Sequence, residues 1–219
     1  MKSPAFRWRG SGFWAHFLAP AALLYGVIAG RRFGRGIQST IPVLCVGNFV
    51  AGGAGKTPLA LAIAKQVLRH GKKPVFLSRG YGGCLVGPHR VDAQQNTADQ
   101  VGDEPLLLAG VAPTVIARNR LAGLAYIEAQ GIADLVIMDD GFQSARIKPD
   151  HAMIALDAGR GVGNGRVLPA GPLRARLKKQ ITHADSLVVL YGAEQATDHL
   201  QRLMECFSIK GKPCLTARL

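Results

Sequence analysis

A glycine-rich stretch, "VGNFVAGGAGKTP" (residues 46–58), has the residue types and spacing needed to bind phosphate. Its glycines allow backbone N–H groups to point at phosphate oxygens, the lysine reaches the β- and γ-phosphates, and the threonine hydroxyl ligates Mg²⁺. Val50 stands where the strict G-x-x-x-x-G-K-[ST] pattern begins, but an apolar run precedes the stretch and a helix that opens at Pro58 follows it. This context predicts a nucleotide-binding loop. The residues expected to bind the nucleotide are Val50, Ala51, Gly52, Gly53, Ala54, Gly55, Lys56 and Thr57.

Two adjacent acids follow a second apolar run and have the chemistry to bind a metal ion. In "ADLVIMDDGFQ" (133–143), a buried strand would deliver Asp139 and Asp140 to the carboxyl edge of a sheet, where a Walker-B acid holds Mg²⁺. Two adjacent acids cannot point the same way, so we expect one to face the metal and the other to support it or the phosphoryl group. A polar turn before Gly141 is the other interpretation, and the presence of the phosphate loop favours the metal. The expected Mg²⁺ ligands are thus Thr57, Asp139 and Asp140.

Asp103 precedes an apolar helical run in "VGDEPLLLAG" (101–110). The residue types alone favour a helix N-cap, a frequent role for an aspartate in this position. The alternative is a general base that accepts the proton of an attacking hydroxyl, which phosphoryl transfer requires. Arg174 in "LPAGPLR" and the stretch "SRGYGG" (78–83) are candidate clamps for substrate or phosphate, because the guanidinium fork suits phosphate oxygens.

Short apolar runs alternate with helical patterns after residue 40. The runs are Pro42–Val46, Pro74–Leu77, Thr114–Ala117, Leu135–Met138, Ala152–Leu156 and Ser186–Leu190, and the helical patterns are Pro58–Arg69, Arg120–Gln130 and Glu194–Phe207. This alternation predicts an α/β fold, a P-loop NTPase-like, mostly parallel sheet with helices on both faces. We expect residues 80–103 to form an insertion or mobile loop, and residues 157–174 to form a functional or disordered loop.

Composition limits the partners. With 219 residues and 48% hydrophobic content, the chain can bury one main core. The net charge of +13 suggests an anionic partner, with a solvated basic surface as the other interpretation. A nucleic-acid binder would rest on that charge alone, because no basic stripe is interleaved with aromatic residues, and we therefore expect no nucleic acid. The scattered cysteines (Cys45, Cys84, Cys206 and Cys214) predict free thiols.

The N-terminal segment is apolar and then basic. Residues 12–30 are apolar apart from His16 and are followed by Arg31, Arg32 and Arg35. Trp8, Trp14 and Tyr25 fit an anchor at a membrane interface, with cations on anionic lipid. The run is at the lower limit for crossing a bilayer, and a helix packed on the core is the other interpretation. We predict a membrane-docking segment at 1–36, containing a membrane-associated helix, and a P-loop domain at 37–219, which the resemblance described next implies is a kinase domain.

These segments in this order resemble the tetraacyldisaccharide 4′-kinase family, the lipid A 4′-kinases of Gram-negative bacteria. The matching stretches are the apolar and arginine-rich N-terminus, "VGNFVAGGAGKTP", "LSRGYGG", "GDEP", "DDGFQ" and "GNGRVLPAGPLR". The resemblance implies transfer of the ATP γ-phosphate to the 4′-hydroxyl of a tetraacyldisaccharide 1-phosphate, forming lipid IVA. It further implies ATP and Mg²⁺ as cofactors, a position on the cytoplasmic face of the inner membrane against anionic lipid, and a monomer. It implies catalytic roles for Lys56, for Asp103 as base in place of a cap, and for Arg174.

The sequence departs from the family pattern at several positions. Val50 and Ala54 replace small hydroxyl residues beside the loop glycines, Ser144 replaces a histidine, and Ala175 replaces an acid. The family continues beyond the position of Leu219, and the resemblance implies that this further part carries a histidine that assists the base.

Two other functions remain open at this stage. One is a truncated, catalytically weak, membrane-attached nucleotide-binding protein of the same family. The other is a metallochaperone-like or signal-recognition-type GTPase, although that class has a signature lysine before the paired glycines, where this chain has Ala51.

Overall fold

The computed structural model describes residues 7–8, 12–31, 33–34, 36–53, 55–144, 146–192 and 198–218. The chain forms two compact units. The central unit comprises residues 35–46 and 56–151, and the terminal unit comprises residues 1–34, 47–55 and 152–219. The loop predicted to bind phosphate therefore groups with the terminal unit, while the helix that follows it belongs to the central unit.

The described elements follow the predicted alternation. The helices are α1 (Phe13–Phe17), α2 (Ala19–Gly30), α3 (Lys56–Arg69), α4 (Ala98–Val101), α5 (Asp103–Ala109), α6 (Arg120–Gln130), α7 (Leu177–His183) and α8 (Asp198–Ile209). The strands are β1 (Val43–Gly47), β2 (Pro74–Ser78), β3 (His89–Arg90), β4 (Thr114–Ile116), β5 (Leu135–Asp139), β6 (His151–Asp157), β7 (Ser186–Tyr191) and β8 (Cys214–Arg218). Each of the six apolar runs forms a strand, so those six predictions are confirmed.

Some element boundaries differ from prediction. Helix α3 begins at Lys56, two residues before the predicted start at Pro58. Proline is tolerated there because the first N–H groups of a helix have no intrahelical acceptor. Helix α6 has the predicted bounds: Asn119 caps it by accepting from the N–H of Leu121, and Gly131 ends it. For α8, the predicted start at Glu194 lies outside the described residues, and the helix runs to Ile209.

The central unit holds a mostly parallel sheet with the strand order β3-β4-β2-β5-β1. β1, β2, β4 and β5 pair in parallel, and only the short β3 pairs antiparallel, with β4. In the register of β1 with β5, Val46 lies opposite Asp139. The carboxyl ends of the parallel strands therefore share one edge, which is where open α/β sheets bind ligands.

Helices cover both faces of this sheet. Phe76 packs with Ala60 and Ala64 of α3 and with Leu108 of α5. Leu77, its neighbour in β2, points to the opposite face, because side chains alternate along a strand. On that face Gly123 of α6 lies so close to Leu77 that an added Cβ would sit 2.7 Å from its Cδ1. Glycine thus allows α6 to pack directly against the sheet.

Residues 80–103 are more ordered than the prediction of an insertion or mobile loop. They contain β3 and α4, and α4 begins with a capping box in which Thr97 and Gln100 bond each other's backbone N–H groups. Cys84 and Leu85 donate their N–H groups to the carbonyls of Asp99 and Gln100. This glycine-rich stretch has no hydrophobic periodicity, and hydrogen bonds within its own backbone order it instead.

The terminal unit contains the parallel strands β6, β7 and β8 in that order, together with α7 and α8. Phe49, in the loop after β1, is fully buried and lies 6.3 Å from the ring of Phe207 in α8. Helices α1 and α2 bury small residues (Ala15, Ala22 and Gly26) and expose large apolar ones. Among the described residues, no helix has the length and apolarity needed to cross a membrane. The cysteines are free thiols, as predicted.

Candidate phosphoryl-transfer site

The loop predicted to bind phosphate is shaped by a buried asparagine. Asn48 is fully buried and its Nδ2 donates to the carbonyl of Gly52 at 3.0 Å. Gly52 has a φ of 118°, a conformation that other residues rarely adopt. Residue 54 lies outside the described residues. Sequence reasoning missed Asn48, whose only signal was its place between an apolar strand and the glycines.

A second segment braces the start of this loop. The N–H of Ala51 donates to the carbonyl of Pro172 at 2.8 Å, and the N–H of Arg174 donates to the carbonyl of Phe49 at 2.9 Å. The Nε of Arg174 also donates to the carbonyl of Val50 at 3.1 Å. Buried Gln180, which sequence reasoning did not single out, adds a bond from its Nε2 to the carbonyl of Phe49. Arg174 therefore lies beside the phosphate loop.

Lys56 and Thr57 form the first turn of α3 in the central unit. The Nζ of Lys56 lies 3.7 Å from Oδ1 of Asp140, within ion-pair distance. The Lys56 side chain is 13% exposed and that of Asp140 is 37% exposed. Two residues predicted from separate motifs are thus brought together.

The two acids occupy different environments. Asp139 ends β5 and is 2% exposed, and its Oδ1 has no hydrogen-bond partner among the described residues. Asp140 follows with a φ of 50°, in the left-handed region that aspartate tolerates better than most residues. The two acids therefore differ in exposure, with Asp139 buried and the side chain of Asp140 37% exposed. A buried carboxylate oxygen without a partner is the kind of group that a cation would satisfy.

The pKa of Asp139 is raised from 3.8 to about 6, and burial is the largest cause. The negative charges of Glu104 and Asp140 contribute to this rise, while Lys56 and Arg120 oppose it. Glu104 belongs to the "GDEP" stretch at the start of α5, so its charge acts on the metal-site candidate. Sequence reasoning assigned no role to Glu104.

Arg120 fixes the turn that separates the two acids. It is 7% exposed, and its Nη2 donates to the carbonyl oxygens of Asp139 at 3.1 Å and of Asp140 at 2.8 Å. Burial lowers the pKa of Arg120, and the nearby charge of Arg79 lowers it further. Sequence reasoning missed Arg120, because an arginine at the start of a helix has no pattern that distinguishes it from a surface residue.

Asp103 is not a helix N-cap, which corrects the interpretation favoured by the residue types alone. Helix α5 begins at Asp103, and Gly102 occupies the cap position. Gly102 has a φ of 92°, and a Cβ there would lie 2.3 Å from the carbonyl oxygen of Tyr81, so only glycine fits. The exposed Asp103 carboxylate makes no hydrogen bond or ion pair within the described part of the chain.

The acids fit Mg²⁺ better than a cation that needs a full protein cage. Across the described ranges, no group of three or more His, Cys, Asp or Glu side chains is arranged to hold a metal. Mg²⁺ is commonly bound by one or two carboxylates together with substrate phosphates. The partnerless oxygen of Asp139 and the adjacent Asp140 match that donor set.

Comparison with known families identifies the group of proteins to which this site belongs. The family model described as tetraacyldisaccharide-1-P 4'-kinase (LpxK) matches residues 14–219. The chain belongs to this family. It is 47% identical to a tetraacyldisaccharide 4'-kinase of Bradyrhizobium diazoefficiens and 50% identical to one of Allorhizobium ampelinum, across its whole length. The chain spans 64% and 63% of the length of these two relatives. The family resemblance of the motifs is confirmed.

Solved structures share the fold. LpxK from Aquifex aeolicus, solved in complex with ATP, superposes with a TM-score of 0.69 at 23% identity over 93% of this chain and 82% of that one. The signal recognition particle 54 kDa protein of Aeropyrum pernix, with GDP, gives a TM-score of 0.51 at 15% identity over 99% of this chain and 50% of that one. The predicted P-loop NTPase-like α/β fold is thus confirmed.

Replacing Asp139 by asparagine should change how stability depends on pH. The folded-state pKa of about 6 lies above the ordinary value of 3.8, so the folded protein keeps a proton that the unfolded chain releases between these values. The free energy of unfolding of the unsubstituted protein therefore falls as pH rises through that window. Without divalent metal, Asp139→Asn should raise Tm at about pH 8, and this gain should disappear near about pH 4. A gain of equal size at both pH values would contradict the buried-charge explanation.

Arg120→Met should destabilise the protein by about 1–3 kcal/mol, because it leaves carbonyls at the end of β5 without their donor. Urea unfolding measures this change. The control is Arg118→Met, which removes an exposed arginine two residues away and should change stability by less than about 0.5 kcal/mol. Equal losses in the two variants would show that Arg120 does not support the turn.

Proposed function

We propose that this chain provides an ATP-dependent kinase activity that transfers the γ-phosphate to the 4′-hydroxyl of tetraacyldisaccharide 1-phosphate, forming lipid IVA. The observation that carries the proposal is the proximity of Lys56 and Asp140, 3.7 Å apart. This contact brings the lysine of a phosphate-binding motif next to the acids at the end of β5. Family membership supplies the identity of the acceptor.

In this proposal, residues 50–57 bind ATP. The backbone N–H groups of Gly52, Gly53 and Gly55 contact the phosphates, and Lys56 supplies the positive charge nearest the transferring group. When nucleotide binds, Lys56 exchanges its contact with Asp140 for phosphate oxygens. Asp140 is then available to a cation.

Thr57, Asp139 and Asp140 are the residues that would hold Mg²⁺. The ion would neutralise charge on the β- and γ-phosphates during transfer. The raised pKa of Asp139 reflects burial beside other acids, so a cation would favour its ionised form. Arg120 keeps the backbone of both acids in place.

Asp103 is the proposed general base. It accepts the proton of the 4′-hydroxyl while that oxygen forms a bond to the γ-phosphorus, and the bond from this phosphorus to the β–γ bridging oxygen breaks to release ADP. Its position on the first turn of α5, next to Glu104, supports the assignment, since the charge of Glu104 reaches Asp139. Arg174 contributes to the substrate or γ-phosphate site from beside the phosphate loop.

Residues 1–36 are proposed to dock on the cytoplasmic face of the inner membrane, with residues 37–219 forming the kinase domain of a monomer. Helix α1 exposes Phe13, Trp14 and Phe17, which are 76%, 59% and 67% exposed and lie ring against ring. An exposed aromatic cluster of this kind suits the interface of a bilayer. Arg31 follows α2 and would contact anionic headgroups, while Arg32 and Arg35 lie outside the described residues.

Lys56→Ala should abolish measurable binding of ATP with Mg²⁺ by titration calorimetry, because it removes the charge closest to the phosphates. Lys65→Ala is the matched control: it lies in the same helix, is exposed, and should bind normally. Unchanged affinity in Lys56→Ala would refute the loop assignment.

Asp103→Asn should lower transfer of radiolabelled phosphate to the acylated disaccharide by about 10² to 10⁴-fold, the usual contribution of a general base. ATP affinity and Tm should not change, because Asp103 makes no capping bond. Asp99→Asn, an exposed aspartate in α4, should retain activity. A fall in Tm without a fall in rate would overturn the assignment.

Substituting Trp14 and Phe17 together by glutamate should weaken flotation with anionic vesicles, because charge would replace exposed aromatic surface. Binding of the unsubstituted protein should weaken as salt rises, since part of it is electrostatic. Leu107→Glu, at a 62% exposed position in α5, is the control and should float normally. Equal flotation of all three proteins would place the membrane contact elsewhere.

A further inference from the structure

One loop of the terminal unit contacts both the membrane-facing helices and the phosphate loop. This bridging loop, residues 158–174, follows β6 and contains no helix or extended strand, yet it is held together by its own hydrogen bonds. The N–H of Arg166 donates to Oδ1 of Asn164 at 3.1 Å, and Nδ2 of Asn164 donates to the carbonyl of Ala170 at 3.0 Å. A loop ordered in this way can hold the elements that it contacts at a fixed distance from one another.

On one side, the bridging loop binds the N-terminal segment: the N–H of Asn164 donates to the carbonyl of Arg7 at 3.1 Å, and Arg166 bonds α1. Nη1 of Arg166 donates to the carbonyl of Ala15 at 2.9 Å, and Nη2 donates to Nε2 of His16 at 3.2 Å. Val167 lies against Gly26 of α2, so that a Cβ on Gly26 would meet its methyl groups at 3.7 Å. Both helices are thus fixed to two consecutive residues of the loop.

On the other side, the same residues connect to the phosphate loop. The carbonyl of Arg166 accepts from the N–H of Leu173 at 3.0 Å. Leu173 in turn forms an antiparallel bridge with Val50, and its neighbour Pro172 accepts from the N–H of Ala51. A short path of hydrogen bonds therefore runs from Ala15 through Arg166 and Leu173 to the loop proposed to bind ATP.

We propose that Arg166 is a positioning residue that keeps the membrane-facing helices at a fixed position relative to the phosphate loop. This inference rests on the proposed function. A kinase whose acceptor is embedded in a bilayer must hold its nucleotide at a fixed place relative to the lipid surface, because a displacement of about 1 Å can cost up to about 10²-fold in rate. Arg166 meets this requirement through its bonds to Ala15 and His16.

Intrinsic fluorescence offers a test that does not depend on turnover. Trp8 and Trp14 are the only tryptophans of the chain, and both belong to the N-terminal segment. N-methylanthraniloyl-ATP bound with Mg²⁺ accepts energy from tryptophan, so the transfer reports the distance between that segment and the bound nucleotide. Arg166→Ala should bind this nucleotide as tightly as the unsubstituted protein but show less transfer, and Arg166→Lys should restore part of it.

Two glycines of α2 provide a matched pair that approaches the contact from the helix side. Gly26→Leu places a side chain against Val167 and should also reduce transfer. Gly30→Leu makes the same exchange in the same helix, at a position where an added Cβ would have no neighbour within 4 Å. It should therefore leave the energy transfer unchanged. This pair keeps the proposal testable if Arg166→Ala fails to fold.

Activity provides the second readout. Arg166→Ala should lose up to about 10²-fold in rate on acceptor in anionic vesicles and much less on a short-chain, water-soluble acceptor. Normal transfer in both Arg166→Ala and Gly26→Leu, or equal losses on the two acceptors, would overturn the role of Arg166. Failure of the unsubstituted protein to bind the labelled nucleotide would instead refute the ATP site itself.

Discussion

The arrangement of the site depends on the contact between one buried guanidinium and the backbone at the end of β5. Arg120 donates to the carbonyls of Asp139 and Asp140, where the chain leaves the sheet and Asp140 turns into a left-handed conformation. Without a donor at this position, two partly buried carbonyls would lose their hydrogen bonds, and the turn that separates the carboxylates would lose its support. The approach of Asp140 to Lys56 follows from the same turn.

Negative charge is concentrated at the carboxyl edge of the sheet, and it lowers the stability of the ligand-free protein. Asp139 is buried beside Asp140 and within reach of the charge of Glu104, which together with burial raises its pKa to about 6. Arg120 and Lys56 offset part of the repulsion, but Arg120 is itself disfavoured by burial. Such local destabilisation is typical of binding sites, where a ligand supplies the compensating charge. The neighbouring thiol of Cys45 adds no negative charge, because burial raises its pKa to about 12.

The sequence allowed six of the eight described strands to be predicted, because apolar runs are local signals, whereas β3 and β8 were not predicted. The β5 run and the residues Lys56 and Asp139 are recognisable from apolar length and from glycine and acid spacing. Asn48, Arg120 and Gln180 were missed because each binds backbone carbonyls that come together only in the folded chain. The interpretation of Asp103 as a cap failed because helix α5 starts at Asp103 itself, one residue earlier than a capping aspartate requires. Gly102 takes the cap position, where the positive φ and the approach of the Tyr81 carbonyl both require glycine.

The two long glycine-rich stretches show why composition alone does not decide whether a segment is ordered. Residues 158–174 form no helix or extended strand, yet the Asn164 side chain bonds the loop backbone and the Arg166 side chain connects the loop to α1. Their order comes from hydrogen bonds between specific partners, whereas the order of the sheet comes from apolar burial, which tolerates many substitutions of similar size. A loop built this way depends on individual polar residues. The basic side chains of this chain therefore divide into those that give it a positive surface and those, such as Arg120 and Arg166, whose geometry holds backbone in place.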